Sequence, residues 1–317
     1  MRIDYCLILA AGFGTRMGVI GQKLPKVLWP VFEKSILELQ VAYAKSLGIQ
    51  KIYINLHYMG NEIYEYCKKR AAFDDVTFLW EEPEILDIGG AVHNLASQSD
   101  VRYRGRVLIL NGDQFFYLRK EELQKILSPF DKSPAVIFTY WVNSSLGYNA
   151  LEIDGNRYVR GIIKNTSLPT DQRIETYTGI SIIDLSQLEK ISGVSKFFES
   201  VCPILRKDIP AILLENIDYW DFGTVKRYWE TMFQILRTYR TRSTHPFIRF
   251  LVQEKALKTW KIDLRNLGYH SSSTEVINLN QEIEIEAIGP AIYLNGSIKQ
   301  KIAVPTIFWK DLWEEIK

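Results

Sequence analysis

The chain has 317 residues, the length of two ordinary domains or of one large domain with an extension. Hydrophobic residues make up 47% and charged residues 24%, and 39 Lys and Arg against 37 Asp and Glu leave a formal net charge of +2. This near balance gives no electrostatic reason to expect a nucleic acid or an anionic membrane as partner, and the 13% aromatic content excludes disorder as the main state.

The three cysteines, Cys6, Cys67 and Cys202, lie far apart in the sequence and form no metal-binding or disulfide motif. We interpret them as reduced, buried thiols. The apolar run 6–11 is far shorter than the roughly 20 residues that span a bilayer, and too short for a signal peptide. The sequence therefore predicts a cytoplasmic protein without a membrane partner.

Short apolar runs alternate with amphipathic stretches through the first part of the chain, which is typical of a parallel, doubly wound sheet with ligands at the carboxyl ends of its strands. The predicted buried strands are 5–9, 51–55, 76–80 and 107–110, and the predicted helices are 35–47, 61–70 and 90–96.

The later part of the chain adds strands that no helix separates. Strands are predicted at 135–142, 149–153 and 157–163, then at 178–183 and 211–214 around a helix near 195–205, followed by a helix over 223–240. The basic segment 237–246 ends in Pro246 and predicts a boundary between a catalytic domain, 1–240, and a strand-rich extension, 246–317. The fold class expected is α/β, a Rossmann-like doubly wound mixed sheet with a small C-terminal extension.

The strongest functional signal directly follows the first strand, where residues 10–17 read Ala-Ala-Gly-Phe-Gly-Thr-Arg-Met. Small residues let backbone N–H groups approach an anion closely. Met17 stands where a dinucleotide-binding fingerprint has its third glycine, and no Gly-Lys-Ser/Thr follows, so neither that fingerprint nor a P-loop is present.

Residues 23–31 continue as Lys-Leu-Pro-Lys-Val-Leu-Trp-Pro-Val. Together the two stretches resemble the opening motif of the sugar-phosphate nucleotidyltransferases, L-A-A-G-x-G-T-R-M followed by P-K-x-L-x-P-V. The resemblance implies that Arg16 and Lys26 are catalytic, since two cations suit the negative charge that builds up on the phosphates. It also implies that the loop binds nucleotide through Ala10, Ala11, Gly12, Gly14 and Thr15.

Two further stretches agree with that family in the same order along the chain. Asn111-Gly112-Asp113 ends a buried strand, and Trp220-Asp221-Phe222-Gly223-Thr224 opens the following helix. The resemblance implies that Asp113, expected as an exposed carboxylate, and Asp221 hold Mg²⁺, which accepts carboxylates together with substrate phosphates. An isolated aspartate is more commonly a helix cap or a turn residue, but together with the opening motif the two favour a metal site.

The resemblance also extends to the base and the sugar. It implies nucleotide contacts at Glu84, Gly89 and Gly90, with Gly90 opening a helix, and substrate contacts at Asn111, Gly147, Lys164 and Gly179. Three residues depart from the family pattern: Asp87 replaces a small residue or glycine, Ile88 replaces threonine, and Ile163 replaces a glutamate expected to hold sugar hydroxyls. The loop 18–22 also lacks the usual P-L-T.

The expected reaction joins a nucleoside triphosphate and a sugar 1-phosphate into a nucleotide sugar and pyrophosphate, with GTP and mannose 1-phosphate or a related sugar phosphate as first choice. The alternatives are uridylyl, thymidylyl or cytidylyl transfer, including transfer to phosphocholine, and a catalytically weak regulatory subunit that binds nucleotide sugar. Trp260, Phe308, Trp309 and Trp313 need an apolar partner, either within the chain or in a homodimer, which we expect.

Overall fold

The computed structural model describes residues 1–215, 219–257, 276–279, 291–295 and 305–316. The helices are α1 (Gly18–Gly21), α2 (Ile36–Ser46), α3 (Gly60–Lys68), α4 (Asp87–Ser97), α5 (Lys120–Leu127), α6 (Val225–Thr241) and α7 (Pro246–Gln253). The strands are β1 (Tyr5–Leu9), β2 (Pro30–Val31), β3 (Lys34–Ser35), β4 (Lys51–Leu56), β5 (Val76–Trp80), β6 (Arg106–Asn111), β7 (Gln114–Phe116), β8 (Ala135–Asn143), β9 (Ala150–Ile153), β10 (Val159–Ile163), β11 (Arg173–Asp184), β12 (Ala211–Leu213), β13 (Tyr219–Asp221), β14 (Val276–Asn278), β15 (Ala291–Asn295), β16 (Thr306–Trp309) and β17 (Leu312–Glu315).

A seven-stranded sheet with the order β5-β4-β1-β6-β11-β8-β12 forms the centre of the fold. Strand β1 runs parallel to both β4 and β6, whereas β11 runs antiparallel to β6 and to β8. The predicted Rossmann-like mixed sheet is therefore confirmed. Because the chain moves from β1 outward to β5 and then returns to β6 on the other side of β1, the strand order reverses between β1 and β6, where sheets of this kind bind ligands.

The central strands form because their residues are apolar in unbroken runs, which suits a strand buried on both faces. Cys6, Leu7 and Ile8 of β1 are fully buried. On one face, Leu7 packs in a common core with Val92 and Leu95 of α4. The sheet thus holds the ends of its strands in fixed positions. Among the described residues, no helix is both long enough and apolar enough to cross a membrane.

The chain divides into two compact units. The first comprises Met1–Gly12, Gln40–Gly112 and Phe116–Asp218 and contains the seven-stranded sheet. The second comprises Phe13–Leu39, Asp113–Phe115 and Tyr219–Lys317. The predicted boundary between a catalytic domain 1–240 and an extension 246–317 stays a prediction.

Aromatic side chains hold the second unit together. Trp29 and Tyr228 meet edge to face with 4.8 Å between ring centroids, and Trp220 stacks on Phe247 of α7 at 4.9 Å. Since Trp29 belongs to the opening motif and Trp220 to the motif around Asp221, these contacts anchor both stretches in one core.

The strand-rich character predicted for the C-terminal part is confirmed, because β14, β15, β16 and β17 form one four-stranded sheet. Tyr293 stacks on Phe308 in this sheet at 4.8 Å. Trp313 is 57% exposed, and Trp260 lies outside the described residues.

Three helix predictions differ from the structure. The helix expected over 195–205 is a single turn, Phe197–Val201, because Pro203 cannot continue it. Helix α4 begins at Asp87, so Gly90 lies in its first turn and does not open it. No helix is predicted at Pro246, which ends the basic segment 237–246, yet it occupies the first turn of α7, a position where its fixed φ favours a helix.

Thr224 caps helix α6, and its loss should destabilise the fold. Its hydroxyl accepts a hydrogen bond from the Arg227 N–H at 3.2 Å. We expect Thr224→Ala to lower the free energy of unfolding by about 1 kcal/mol in a denaturant titration. Thr238→Ala on the same helix is the control, because alanine is the better helix former and that hydroxyl bonds only its own helix at the Gln234 carbonyl. Equal losses in both variants would contradict the capping role.

Candidate active site

Asp113 is the centre of the candidate site in the second unit. The Lys26 ammonium donates a hydrogen bond to Asp113 Oδ2 at 2.7 Å, and Arg16 Nη2 lies 3.8 Å from the same oxygen. The expectation of an exposed carboxylate is wrong, since Asp113 is 5% exposed. Its backbone explains the burial: the Asp113 carbonyl accepts the Phe222 N–H at 2.9 Å, so the residue lies under the segment that carries Asp221.

Asp221 lies beside Asp113, and Gly223 makes room for both. A Cβ on Gly223 would stand 2.8 Å from Asp113 Oδ2 and 2.9 Å from Asp221 Oδ1, so the two oxygens are at most 5.7 Å apart. The Gly223 N–H donates to Asp221 Oδ1 at 2.7 Å, and Arg227 Nη1 lies 3.0 Å from Asp221 Oδ2. Any side chain at Gly223 would displace the carboxylates.

Three cationic side chains thus contact two carboxylates in this cluster: Lys26 and Arg16 at Asp113, and Arg227 at Asp221. Arg16 is the outermost, with its side chain 61% exposed, whereas that of Lys26 is 18% exposed. Positive charge that is partly withdrawn from water interacts strongly with phosphate oxygens. The cluster can therefore bind a phosphate and stabilise charge that develops on it.

The donor set is of the kind that a magnesium ion accepts, since both side chains are carboxylates. Two oxygens that bind one Mg²⁺ at about 2.0–2.1 Å stand no more than about 4 Å apart, a separation that the 5.7 Å upper bound between Asp113 and Asp221 permits. In the described part of the chain, no group of three or more His, Cys, Asp or Glu could hold a metal. A cation here would need additional oxygens from substrate phosphates, as Mg²⁺ commonly does.

The loop after β1 has the backbone expected of an anion-binding turn. Gly14 has φ 63°, in the left-handed region, and the Gly14 carbonyl accepts the Met17 N–H at 2.9 Å. Gly12 is exposed, and a Cβ on it would meet no atom within 4 Å. Ala10 and Ala11 are buried, and Thr15 is exposed. Gly12 and Thr15 thus leave this part of the loop accessible.

Packing against another segment explains why positions 89 and 90 are glycines, a reason that the sequence does not indicate. A Cβ on Gly89 would stand 2.4 Å from the Ser195 carbonyl oxygen, and one on Gly90 would stand 2.5 Å from that of Gly193. The Gly90 N–H donates to the Ser195 carbonyl at 3.1 Å. The missing side chains therefore make room for the chain around Gly193 and Ser195. A nucleotide contact at these glycines, and at the exposed Glu84, stays a prediction.

Hydrogen bonds connect the neighbourhoods of Lys164 and Gly147, two of the four residues expected to contact substrate. Lys164 is exposed at the end of β10, and the next residue, Asn165, donates through its amide to the Ser144 carbonyl at 2.7 Å and the Tyr148 carbonyl at 3.2 Å. Those carbonyls flank Gly147, which has φ 79° and open space around it.

The other two residues expected to contact substrate, Gly179 and Asn111, lie in strands of the central sheet. Gly179 has φ 81° where the register of β11 shifts. The Asn111 carbonyl, at the end of β6, accepts a hydrogen bond from the Gln40 side chain at 3.0 Å.

Sequence reasoning missed two buried polar residues in the first unit, Asn55 and Glu81, which are 4% and 1% exposed. The amide of Asn55 donates to the carboxylate of Glu81 at 2.7 Å. Burial raises the pKa of the Glu81 carboxyl, while hydrogen bonds from Leu86 and Asn55 act in the opposite direction. The available signal was position, since each polar residue lies at or just after the carboxyl end of an apolar strand.

In the second unit, the C-terminal strand β17 contacts the segment that follows Arg16. Glu314 Oε2 accepts the Val19 N–H at 3.0 Å. Gly18 has φ 59° and ψ −156°, which only glycine adopts readily, and a Cβ there would stand 2.3 Å from the Glu314 carboxyl carbon. Part of the C-terminal sheet is thus docked within the same chain.

Part of the chain matches a family of known proteins. Residues 6–161 match the family described as the MobA-like NTP transferase domain. The bifunctional protein GlmU of Synechococcus elongatus is 32% identical over 168 residues, which are 52% of this chain and 35% of GlmU. A bifunctional sugar-1-phosphate nucleotidylyltransferase/acetyltransferase of Sulfurisphaera tokodaii is 24% identical over 68% of this chain and 51% of that protein. The chain thus spans between a third and a half of these two relatives.

Solved structures share the fold. HddC from Yersinia pseudotuberculosis superposes with a TM-score of 0.60 at 22% identity, covering 73% of this chain and 99% of HddC. A UDP-glucose pyrophosphorylase, solved with UDP-glucose, gives a TM-score of 0.57 at 15% identity, covering 75% of this chain and all of that one.

The sheet, the loop after β1 and the match over residues 6–161 define an NTP transferase domain. Within that class, the homologues matched over this region are sugar-1-phosphate nucleotidyltransferases such as GlmU. The family resemblance found in the sequence is confirmed.

Gly18 should not tolerate a side chain. We expect Gly18→Ala to lower the free energy of unfolding by about 1–3 kcal/mol, because of its left-handed φ and because Glu314 fills the space. Gly155→Ala is the control, since a Cβ there meets nothing within 4 Å. The measurement is a denaturant titration of each variant. A loss at Gly18 no larger than that at Gly155 would contradict the close contact.

Proposed function

We propose that the chain is a sugar-1-phosphate nucleotidyltransferase, which converts a nucleoside triphosphate and a sugar 1-phosphate into a nucleotide sugar and pyrophosphate. One observation carries the proposal: Arg16, Lys26, Asp113 and Asp221 come from three separate motifs and meet in one cluster. This is the combination of phosphate-binding cations and paired carboxylates that transfer of a nucleotidyl group requires.

In the proposed reaction, a phosphate oxygen of the sugar 1-phosphate attacks the α-phosphorus in line. A new P–O bond forms, the bond between the α- and β-phosphates breaks, and its electron pair leaves with pyrophosphate. No general base is needed, because the attacking oxygen is already deprotonated. Lys26 contacts the phosphates with its ammonium, which Asp113 orients through the 2.7 Å hydrogen bond. Arg16, farther out, binds the departing pyrophosphate.

Asp113 and Asp221 are the residues that would hold Mg²⁺ in this proposal. The bound ion would supply neutralisation of negative charge on the phosphates. Arg227 keeps Asp221 in place through the 3.0 Å contact with Oδ2. Asp113 accepts from Lys26 and would also hold the ion, so the carboxylate would couple the position of the lysine to that of the metal.

The remaining contacts proposed for the substrates lie in the loop after β1, in the loop before α4 with the start of that helix, and at the later strands. The nucleotide would be held by Ala10, Ala11, Gly12, Gly14, Thr15, Glu84, Gly89 and Gly90, and the sugar phosphate by Asn111, Gly147, Lys164 and Gly179. The sugar phosphate is an anion, and the exposed ammonium of Lys164, tied to the Gly147 turn through Asn165, supplies a cation for it.

GTP with mannose 1-phosphate or a related sugar phosphate is the substrate pair we propose. HddC, which shares the fold, has been solved in complex with GMP-PN, and this supports a guanine nucleotide here. Uridylyl, thymidylyl and cytidylyl transfer, with phosphocholine among the acceptors, are the alternatives. Retention of the full cluster favours turnover over a regulatory subunit that only binds nucleotide sugar. A homodimer also stays a proposal.

Removal of the Lys26 ammonium should abolish most of the turnover. We expect Lys26→Ala to reduce kcat by about 10²–10³, the usual loss when one group that stabilises transition-state charge is removed. The measurement is pyrophosphate release with saturating substrates. Lys23→Ala is the matched control, because Lys23 is an exposed lysine of the same segment and should keep wild-type turnover. Near-normal kcat for Lys26→Ala on the true substrates would refute the assigned role.

The substrates can be identified with a panel of GTP, UTP, dTTP and CTP against mannose 1-phosphate, other sugar 1-phosphates and phosphocholine. We expect the highest kcat/KM with GTP and a sugar 1-phosphate, and a requirement for Mg²⁺ that EDTA reveals. A preference for CTP with phosphocholine would show that the acceptor is a phosphorylated amino alcohol and not a sugar phosphate. Tight binding of nucleotide sugar without pyrophosphate exchange would instead support the regulatory alternative.

A further inference from the structure

Three hydrogen bonds form a buried chain across the first unit. The Ala10 N–H donates to Asn55 Oδ1 at 2.7 Å, Asn55 Nδ2 donates to Glu81 Oε1 at 2.7 Å, and the Leu86 N–H donates to Glu81 Oε2 at 2.9 Å. We call this arrangement the Asn55–Glu81 relay. Both of its side chains are almost completely buried.

The relay joins the two loops that the proposed function assigns to the nucleotide. Ala10 directly follows β1 and begins the loop that contains Gly12, Gly14 and Thr15. Leu86 directly precedes α4 and follows Glu84. The neighbouring strands β1, β4 and β5 supply the rigid support, because Asn55 lies beside Leu9 in one pair and beside Leu79 in the other.

The direction of each hydrogen bond in the relay is fixed. The Ala10 N–H can only donate, so the amide of Asn55 must turn its oxygen towards it and its NH₂ towards Glu81. The Leu86 N–H also only donates, so both oxygens of Glu81 must accept. The ionised carboxylate satisfies this pattern without needing an acceptor for a proton of its own.

Stability does not account for this charge. Withdrawing a carboxylate from water costs several kcal/mol, and burial accordingly raises the pKa of Glu81. In the described part of the chain, no Lys or Arg forms an ion pair with it, and the cationic group that favours its ionised form is the nearby His57. Well-packed apolar residues in such positions are commonly as stable or more stable. What the polar pair supplies is a fixed distance between two loops, through bonds with one permitted geometry.

We propose that Asn55 and Glu81 are positioning residues for the nucleoside triphosphate, which hold the loop after β1 and the loop before α4 at the separation that the nucleotide needs. The inference rests on the proposed function, since that function assigns both loops to the nucleotide. The relay does not touch the substrate itself and acts through the Ala10 and Leu86 backbone.

Two single substitutions each break the relay in a defined way. Glu81→Gln replaces one accepting oxygen by an NH₂ group, so either the Leu86 N–H or the Asn55 amide faces another donor. Asn55→Asp sets two carboxyl groups against each other, and they repel unless one binds a proton, so the variant is assayed above pH 7, where both tend to ionise. Both replacements keep the size and shape of the side chain.

The double variant Asn55→Asp/Glu81→Gln restores the relay in reverse polarity. The new carboxylate at position 55 accepts from the Ala10 N–H and from the new amide at position 81, whose oxygen accepts from the Leu86 N–H. All three hydrogen bonds are formed again with one charge, as in the wild type. This reciprocal exchange separates a positioning role from general damage to the core.

The experiment measures KM for the nucleoside triphosphate, KM for the sugar phosphate, kcat and amide hydrogen exchange at Ala10 and Leu86 in the four full-length proteins. We expect each single variant to raise KM for the nucleotide by at least tenfold, to change KM for the sugar phosphate by less than threefold, and to speed exchange at both amides. In the double variant, all values should return to within threefold of the wild type. Thermal unfolding establishes that the proteins are folded at the assay temperature.

Two outcomes would overturn the inference. One is a double variant that is no better than the worse single variant in nucleotide KM and amide exchange. The other is single variants that lower the unfolding temperature but leave nucleotide KM within twofold of the wild type, which is what a structural role alone predicts. If the wild type released no pyrophosphate with any substrate pair, the proposed function would fail. The relay would then be judged by fluorescence titration with a labelled GTP analogue and by the same amide exchange.

Discussion

The hydrogen bond between Lys26 and Asp113 is the contact on which the rest of the candidate site depends. Asp113 is buried, and a buried carboxylate that loses its cation is left with an uncompensated charge, which typically costs 3–5 kcal/mol. The pair therefore fixes more than two side chains. Through the Asp113 carbonyl it also fixes Phe222, and Gly223 then has to be a glycine because both carboxylates approach its Cα. Three motifs, 87 residues and more apart in sequence, thereby share one constraint.

Topology explains why those motifs begin where they do. Strands β1 and β6 are adjacent and parallel, with Leu9 opposite Asn111, so the loops that follow them leave the sheet at neighbouring points. The strand order reverses between these strands, where α/β sheets of this kind leave a crevice. Apolar runs in β1 and β6 fix the position of this edge, and the chain then needs only a few polar residues beyond each strand to form a site. The relay between Asn55 and Glu81 uses the next two strands, β4 and β5, in the same way.

The sequence predicted the sheet well because buried parallel strands such as β1 are unbroken apolar runs, and β1 and β5 have the predicted limits. The burial predicted for 76–80 is wrong, because β5 lies at the edge of the sheet and buries only Leu79. The sequence predicted the cluster because Arg16, Lys26, Asp113 and Asp221 lie in recognisable motifs.

The sequence did not predict features that a tertiary contact decides. The burial of Asp113 depends on Phe222, and the lack of a side chain at Gly89 depends on Ser195, more than 100 residues away in both cases. Neither contact leaves a periodic pattern, and a lone Asn or Glu after a strand, such as Asn55 or Glu81, has no motif to mark it.

The departures from the family pattern are not equivalent once the backbone is known. Asp87 has φ 58°, and the Ile88 N–H donates to its carboxylate at 2.6 Å. Aspartate is one of the few residues that tolerate the left-handed region, through such local hydrogen bonds, so it can serve where the family has a small residue or glycine. Ile88 is half-buried and packs against the core of the first unit, which explains an apolar side chain there.

Packing does not explain the third departure, Ile163. Its side chain is 39% exposed at the end of β10, beside Lys164. A carboxylate there would hold hydroxyl groups, whereas an isoleucine accepts no hydrogen bond. Of the three departures, Ile163 is therefore the one that we expect to change recognition in the proposed site, and it would bear on the acceptor and not on the nucleotide.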